Sequence, residues 1–303
     1  MKRYKYIIIS LLLILFITNL DLIIKSTKYA CNIFFNKVFI SVFPFVLLSD
    51  ILIYYDYHIF LSKTIGKYLS KLFNIDSNTT IVFILSMLTS NPTNAVIIKD
   101  MLDKRIIDEN TANKILPYTF FPSIAYVIGT IGIGSFNSFK IGLFIWLIIL
   151  FNNIFIGIFQ RKQIGKSNTI YNQNKEENIF NILKNSILKG INTSFIILGN
   201  LIIFIIITNL FIKYIKLDSI LISMLSSILE ATNGINQISI LNISNCYKII
   251  LIVFSLLFSS ISILFQAFSI LSDYNINLKR LLIIKLVFSL LISITIIIIL
   301  LLI

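Results

Sequence analysis

Cysteine and histidine are nearly missing from this sequence. Cys31, Cys246 and His58 stand far apart along it, which excludes local metal-ligand spacing and thiol-redox motifs. No nucleophile–base constellation is recognisable either, so neither an enzyme nor a cofactor or metal site is expected. Charge is also scarce. Asp, Glu, Lys and Arg make up 13% of residues against 57% hydrophobic, and mean hydropathy is +0.93. A soluble domain carries about 25% charged residues. That class is excluded, and a polytopic helical membrane protein remains. Acidic residues are the scarcer sign, 13 against 26 basic, for a formal net charge of +13. In a soluble chain this excess would suggest nucleic acid. Here Lys and Arg lie mostly between apolar runs, where they set membrane orientation. No nucleic-acid partner is expected, and the partners are membrane lipids and a small-molecule substrate. Nucleotide-binding motifs are absent, so ATP-driven work by this chain alone is excluded. No small-residue cleavage site follows the basic and apolar start, Met1 to Ile17. These residues are expected to remain as a first transmembrane helix.

What is present is a succession of long apolar runs. The expected fold is an all-α integral membrane protein with about seven spanning helices. They fall roughly at 6–24, 37–56, 112–134, 140–159, 191–212, 249–271 and 281–303. Two shorter composites, roughly 79–104 and 217–245, are each broken by a polar turn. They read as re-entrant hairpins or broken helices in an inverted repeat. The amphipathic stretch 59–73 is expected to lie along the interface. The hydrophilic stretch 160–182 divides the chain. The resulting plan is an N-terminal anchor helix and loop (1–36), a first repeat (37–159), a cytoplasmic basic linker (160–190) and a second, inverted repeat (191–303).

Lys2, Arg3 and Lys5 place the N-terminus in the cytoplasm. With helix 6–24 leading out and 37–56 returning, Lys63, Lys67, Lys71, Lys99, Lys104 and Arg105 fall inside. So do Arg161, Lys162, Lys166, Lys175, Lys184 and Lys189 of the linker, and then Lys279, Arg280 and Lys285. Lys25, Lys28, Lys213 and Lys216 fall on the other side. On this path the first hairpin enters from inside and the second from outside.

The two turns are Thr89-Ser90-Asn91-Pro92-Thr93-Asn94-Ala95 and Glu230-Ala231-Thr232-Asn233-Gly234. Unwound backbone is tolerated at membrane depth only where protein or a wet cavity satisfies its polar groups. Pro92 suits the first turn of a following helix. Asn233 and Gly234 suit a left-handed or unwound break. Helix N-termini offer free N–H donors and partial positive charge, so two such termini would suit a polar or anionic small molecule. The candidate binding residues are Ser90, Asn91, Pro92, Thr93 and Asn94 with Glu230, Thr232, Asn233 and Gly234. A second pair of polar breaks adds Ser123, beside Pro122, and Ser262 with Gln266. These hydroxyls and the amide also suit interhelical contacts. Asp50 and Glu230 are carboxylates in apolar surroundings, and so candidates for a coupling or orienting role. Asp50 at a helix end and Glu230 in an exposed loop are the plainer readings. Asp108 reads as a helix N-cap.

The order Ser90-Asn91-Pro92-Thr93-Asn94-Ala95, Phe120-Phe121-Pro122-Ser123 and Ile128-Gly129-Thr130-Ile131-Gly132 resembles the nucleoside-recognition Gate domain. With Phe43-Pro44-Phe45, Ser49-Asp50, Leu229 to Gly234 and Phe268 to Asp273, the chain is similar to the sporulation integral membrane protein YlbJ family, also called SpoVV. The resemblance runs over most of residues 37–300. It implies a Gate-like first repeat, and a site lined by Asn91 to Asn94 and by Glu230 to Asn233. It also implies movement of dipicolinate, a small aromatic dianion, across the outer forespore membrane during sporulation. The family's first turn usually reads Ser-Gly-Tyr-Pro-x-Gly-Ala. Here Ser90, Asn91 and Asn94 stand at the Gly, Tyr and Gly places, and Asn tolerates left-handed backbone. The expected function is therefore a transporter of a small polar or anionic metabolite in the bacterial cytoplasmic membrane or outer forespore membrane. A membrane scaffold for spore assembly and a nucleoside transporter are the alternatives. A second copy of the chain and other sporulation membrane proteins are the candidate protein partners.

Overall fold

The computed structural model describes residues 13–55, 57–162, 178–214 and 217–302, with Tyr6 and Ser10. The basic start (Lys2, Arg3, Lys5), Asp56, Lys166, Lys175 and Lys216 lie outside the described residues, and so does most of the hydrophilic linker. Every regular element among the described residues is helical.

The first helices depart from the sequence expectation. No proline or glycine precedes Pro44, so nothing in that stretch breaks a helix. Helix α1 (Leu20–Ile33) passes through one π-helical turn at Phe34–Val38 into α2 (Phe39–Tyr54). The spans expected at 6–24 and 37–56, with a loop between them, are corrected here. The intervening residues 25–36 are helical, and Lys25 and Lys28 point outward from that helix.

The amphipathic stretch forms two short helices, α3 (Tyr57–Lys63) and α4 (Ile65–Phe73). Then α5 (Ile81–Leu88) and α6 (Thr93–Asp103) are joined by the first polar turn. Asp108 caps α7 (Glu109–Ile115) by accepting from the Thr111 N–H at 2.8 Å, as the sequence indicated. The span expected at 112–134 is not one helix. A 3₁₀ turn (Leu116–Tyr118) is followed by non-helical residues 119–123 and a π-helix (Ala125–Ser135). Pro117 and Pro122 remove backbone donors there and interrupt the ladder. Helix α8 (Phe139–Phe159) completes the first half.

In the second half, α9 (Ile179–Tyr214) begins well before residue 191. The final part of the expected linker is therefore helical. Then come α10 (Ser219–Leu229), α11 (Ala231–Ile240), α12 (Asn245–Phe258), α13 (Ile261–Ile270) and α14 (Leu278–Leu302). Among the described residues four segments are long and apolar enough to cross a membrane: Phe139–Phe159, Ile179–Tyr214, Asn245–Ile270 and Leu278–Ile298. Helix α10, with 11 residues, reaches about 16 Å, about half of a hydrocarbon core. It is too short to cross one.

Helix α9 lies antiparallel along α1 and α2. Asn19 accepts from the Lys213 ammonium at 2.5 Å, Asn209 donates to Ser26 at 2.9 Å, and Ser186 donates to Asp50 at 2.6 Å. Polar pairs of this kind fix the register of apolar helices that have no hydrophobic drive to choose one. A small apolar cluster (Ala30, Ile33, Val46, Ile197, Leu201, Ile205) fills the seam. The larger core belongs to the two broken pairs and their neighbours. At its centre Phe73, Phe83, Tyr118 and Phe121 pack ring on ring, with centroids 4.9–6.1 Å apart.

One end of the bundle is polar. Lys99 pairs with Asp273 at 2.5 Å, Asn113 donates to the Asn275 carbonyl at 2.9 Å, and Asn74 donates to the Arg161 carbonyl at 3.2 Å. The Tyr274 hydroxyl donates to Asp103, and that bond holds its pKa up, at about 12. These contacts staple residues 99–113 to the 273–277 loop. Lys285, expected with Lys279 and Arg280 among the cytoplasmic basic residues, is instead buried in α14, with its ammonium 5.1 Å from the Phe120 ring centre.

Close backbone approach joins α8 to the π-helix. A Cβ on Gly132 would sit 2.6 Å from the Gly142 Cα, and one on Gly142 would sit 2.8 Å from the Ile128 Cα. We predict that Gly142→Val costs about 1–3 kcal/mol of stability by overpacking, read as a lower unfolding midpoint of the detergent-purified protein. An unchanged midpoint would mean that the two helices are not in contact.

Candidate functional site

Both polar turns open on one cavity of about 980 Å³. Thr89, Ser90 and Asn91 line it from the first turn, and Ala231 and Thr232 from the second. Pro122 and Ser123 line it from the break before the π-helix, and Ser255 and Ser259 from α12 and its end. Four chain interruptions, far apart in sequence, thus meet at one place. The volume lies at the upper end of the range for small-molecule sites, roughly 300–1,000 Å³.

Each interruption has a local cause. Thr89 leaves the helix with extended backbone, and the Asn91 N–H then donates to the Phe121 carbonyl at 2.9 Å. Turn and break thereby satisfy each other. Neither Asn91 nor Asn94 adopts a left-handed conformation. Among the described residues, those non-glycine residues are Asn74, Arg105, Asn137, Ser259 and Ser260. The last two interrupt α12 and α13, with φ of 71° and 47°. Consecutive non-glycine residues at positive φ are strained and persist only where the surroundings impose them.

At the second turn the expectation of a left-handed Asn-Gly break fails. Asn233 and Gly234 are helical, inside the first turns of α11. The break falls at Glu230, whose backbone is extended. Gly234 is needed for close approach instead. A Cβ there would lie 2.1 Å from the Ser227 backbone N and Cα, across the pair. The Glu230 carboxylate caps α11, accepting from the Thr232 N–H at 3.0 Å and the Asn233 N–H at 2.6 Å. Glu230 is 2% exposed. This helix terminus is therefore already neutralised by its own chain and is not a free anion site.

The remaining candidates sort by position. Pro92, Thr93 and Asn94 stand behind the first turn. Thr93 and Asn94 are buried there, and the Asn94 amide donates to Thr119 at 3.4 Å. Asn233 is buried and accepts from the Tyr29 hydroxyl at 3.4 Å. Ser262 and Gln266 bond to each other at 3.3 Å and do not line the cavity. Asp50 does not line it either. Its neighbours Leu48 and Leu52 do, one helical turn apart on the opposite face. The Asp50 carboxylate instead meets Lys189 at 2.7 Å and Ser186 at 2.6 Å, and Lys189 also pairs with Asp100.

Sequence reasoning missed Tyr126, Phe139 and Ser255 in the lining, and the Lys189 and Asp100 partners of Asp50. Tyr126 and Ser255 carried a signal as polar groups in apolar runs. The ion cluster carried none, because its members are separated by 50 to 139 residues.

The cavity has a definite chemistry. Among the described residues no charged side chain lines it, and aliphatic residues with Tyr126 and Phe139 form most of the wall. Polar groups cluster at the first turn. Ser86, Thr89, Ser90 and Thr93 hydroxyls and the Asn91 and Asn94 amide oxygens are buried and make no hydrogen bond within the described protein. Buried polar groups ordinarily have partners; of these six residues Thr89, Ser90 and Asn91 line the cavity, and Ser86, Thr93 and Asn94 stand off it.

The chain is distantly similar to a sporulation membrane protein. It is 20% identical over 294 aligned residues to the sporulation integral membrane protein YlbJ of Bacillus subtilis (strain 168). The match covers 84% of this chain and 72% of the relative. No protein-family profile matches the chain, and no solved structure does. With its long apolar helices, the chain is a membrane protein.

Removing the α11 cap should be measurable apart from any activity. We predict that Glu230→Ala destabilises the protein by about 1 kcal/mol or more, the loss typical of an N-cap. The readout is the unfolding midpoint in detergent. An unchanged midpoint would show that the carboxylate serves no capping role.

Proposed function

We propose that the protein is a secondary-type transporter of a small polar metabolite, working in the membrane during sporulation. One observation carries this reading: four chain interruptions from both halves of the sequence converge on a single cavity with unpartnered polar groups. Broken segments in corresponding places of two halves are the common construction of a transporter's midplane site. We read the α5–α6 and α10–α11 pairs as opposed re-entrant hairpins of an inverted repeat. Their opposed entry follows from the polar contacts that hold 99–113 at one end, while α10 follows directly on the other end of α9. The sporulation setting is taken from the printed name of the Bacillus relative.

Dipicolinate is the first solute to test, as the resemblance implies. Its ring fits the apolar and aromatic walls. Its carboxylates would be received by the hydroxyl and amide groups of the first turn rather than by a cationic side chain. Glu230 holds the second turn in shape, and Asp50 acts away from the solute.

The test is uptake of labelled dipicolinate, and of nucleosides in parallel, by proteoliposomes containing the purified full chain. Asn91→Ala and Thr232→Val are each predicted to lower uptake efficiency about tenfold, the effect of one lost hydrogen bond of roughly 1–1.5 kcal/mol. Glu230→Gln should keep part of the cap and lose less. Uptake equal to that of empty vesicles for every solute would favour a non-transporting scaffold. Normal uptake by both turn variants would remove the site from this cavity.

A further inference from the structure

Away from the cavity, the structure assembles a second charged constellation from three elements. Lys189 on α9 bridges Asp50 on α2 and Asp100 on α6, and Ser186, one turn before Lys189, donates to the free oxygen of Asp50 at 2.6 Å. All three charged side chains are partly covered, with 14–28% of each side chain exposed. The cluster holds two carboxylates and one ammonium in direct contact. Other charges nearby are few. Lys104, at the end of α6, acts on Asp100 from farther away, and Lys99 is held by Asp273.

The position matters more than the charge count. Helices α2 and α9 form the long antiparallel arm, with its own apolar seam. Helix α6 is the second limb of the pair whose turn lines the cavity. Asp100 lies two turns along α6 from Thr93, about 10 Å by helical rise. Leu48 and Leu52 on α2 line the cavity while Asp50, between them, faces the cluster. Helix α2 therefore carries cavity wall on one face and the charged contact on another, and α6 carries the contact beyond the turn that lines the cavity. A change in the contact must alter how α6 sits against α2.

We propose that Asp50, Asp100 and Lys189 form a proton-binding latch between the long arm and the α5–α6 pair, closed when both carboxylates are ionised and released when Asp100 takes up a proton. Breaking one member of a partly buried ion cluster is costly because the others lose compensation. Adding a proton to one carboxylate has the milder effect of removing one charge-assisted bond from Lys189. The partial exposure gives protons access from the polar end. Its consequence for solute movement rests on the transport reading above; the latch itself does not.

The test uses the full chain in lipid nanodiscs, with Cys31 and Cys246 replaced by serine. Spin labels at Asn110→Cys and Asn185→Cys report the separation of the α7 end from α9. Between about pH 8 and about pH 4, a span that ends near the ordinary carboxylate value, a second and longer distance should appear and reverse on return. Asp100→Asn should show the longer distance at both pH values. Asp50→Asn leaves one carboxylate for one ammonium and should hold the short distance at both. A wild-type distribution that does not change with pH overturns the proposal, as does a pH response that persists in the double Asp50→Asn, Asp100→Asn variant. No solute is present, so absence of dipicolinate uptake leaves the result standing. Conversely, uptake indifferent to pH with an intact distance response would detach the latch from transport.

Discussion

The cost of an unpaired peptide group away from water governs this structure. A helix satisfies its own backbone, and any interruption must find partners elsewhere or lose several kcal/mol per group in hydrocarbon. This chain interrupts its apolar segments at 89–92, 119–123, 230 and 259–260, and each break is answered. The Asn91 N–H finds the Phe121 carbonyl, so two breaks close each other. The Thr232 and Asn233 N–H groups find the Glu230 carboxylate. The Ile263 N–H finds the Ser260 hydroxyl at 3.4 Å. Because the answers come from other breaks or from the break itself, the interruptions are drawn together. The cavity is where they meet.

The long arm solves a different problem. Helices packed side by side along their length need a register, and apolar packing alone scarcely supplies one. Asn19 with Lys213, Ser26 with Asn209, and Asp50 with Ser186 set it at both ends and between. At the middle of the seam small and branched residues such as Ala30 and Ile197 allow close contact. The arm is thereby a body with its own core, joined to the larger one through α6 and α13.

Legibility in the sequence followed physical contrast. Polar turns in greasy runs stand out, so Ser90, Asn91 and Thr232 were found, and so was the break at Pro122. The Asp108 cap was equally plain. Conformation within the turns was not. Asn233-Gly234 looks like a left-handed break, yet the glycine serves a helix crossing at Ser227 that only the folded pair reveals. The stretch from Lys25 to Asn36 looks like a loop by polarity, but it contains no residue that stops a helix; Ser26 turns into the arm while Lys25 and Lys28 stay on the outer face. Lys189 reads as one of the linker's cytoplasmic charges, because its pairing with Asp100 spans 89 residues. Lys285 misled for a similar reason. It follows Lys279 and Arg280 in sequence, but helical rotation turns it inward toward Phe120.

The electrostatics of the cavity bear on how an anion could be received at all. Glu230 occupies the first N–H groups of α11, and among the described residues no lysine or arginine reaches the lining. An uncompensated dianion in such surroundings would pay a large desolvation cost. Two ways remain to lower it. The solute can keep part of its hydration, for which a cavity of this volume has room. Or it can enter with fewer charges than it carries in water, a proton accompanying each carboxylate that the hydroxyls and amides of the first turn receive. On the transport reading, the second way would link solute charge to external pH. A site walled by neutral donors and acceptors would then discriminate by protonation state as well as by shape.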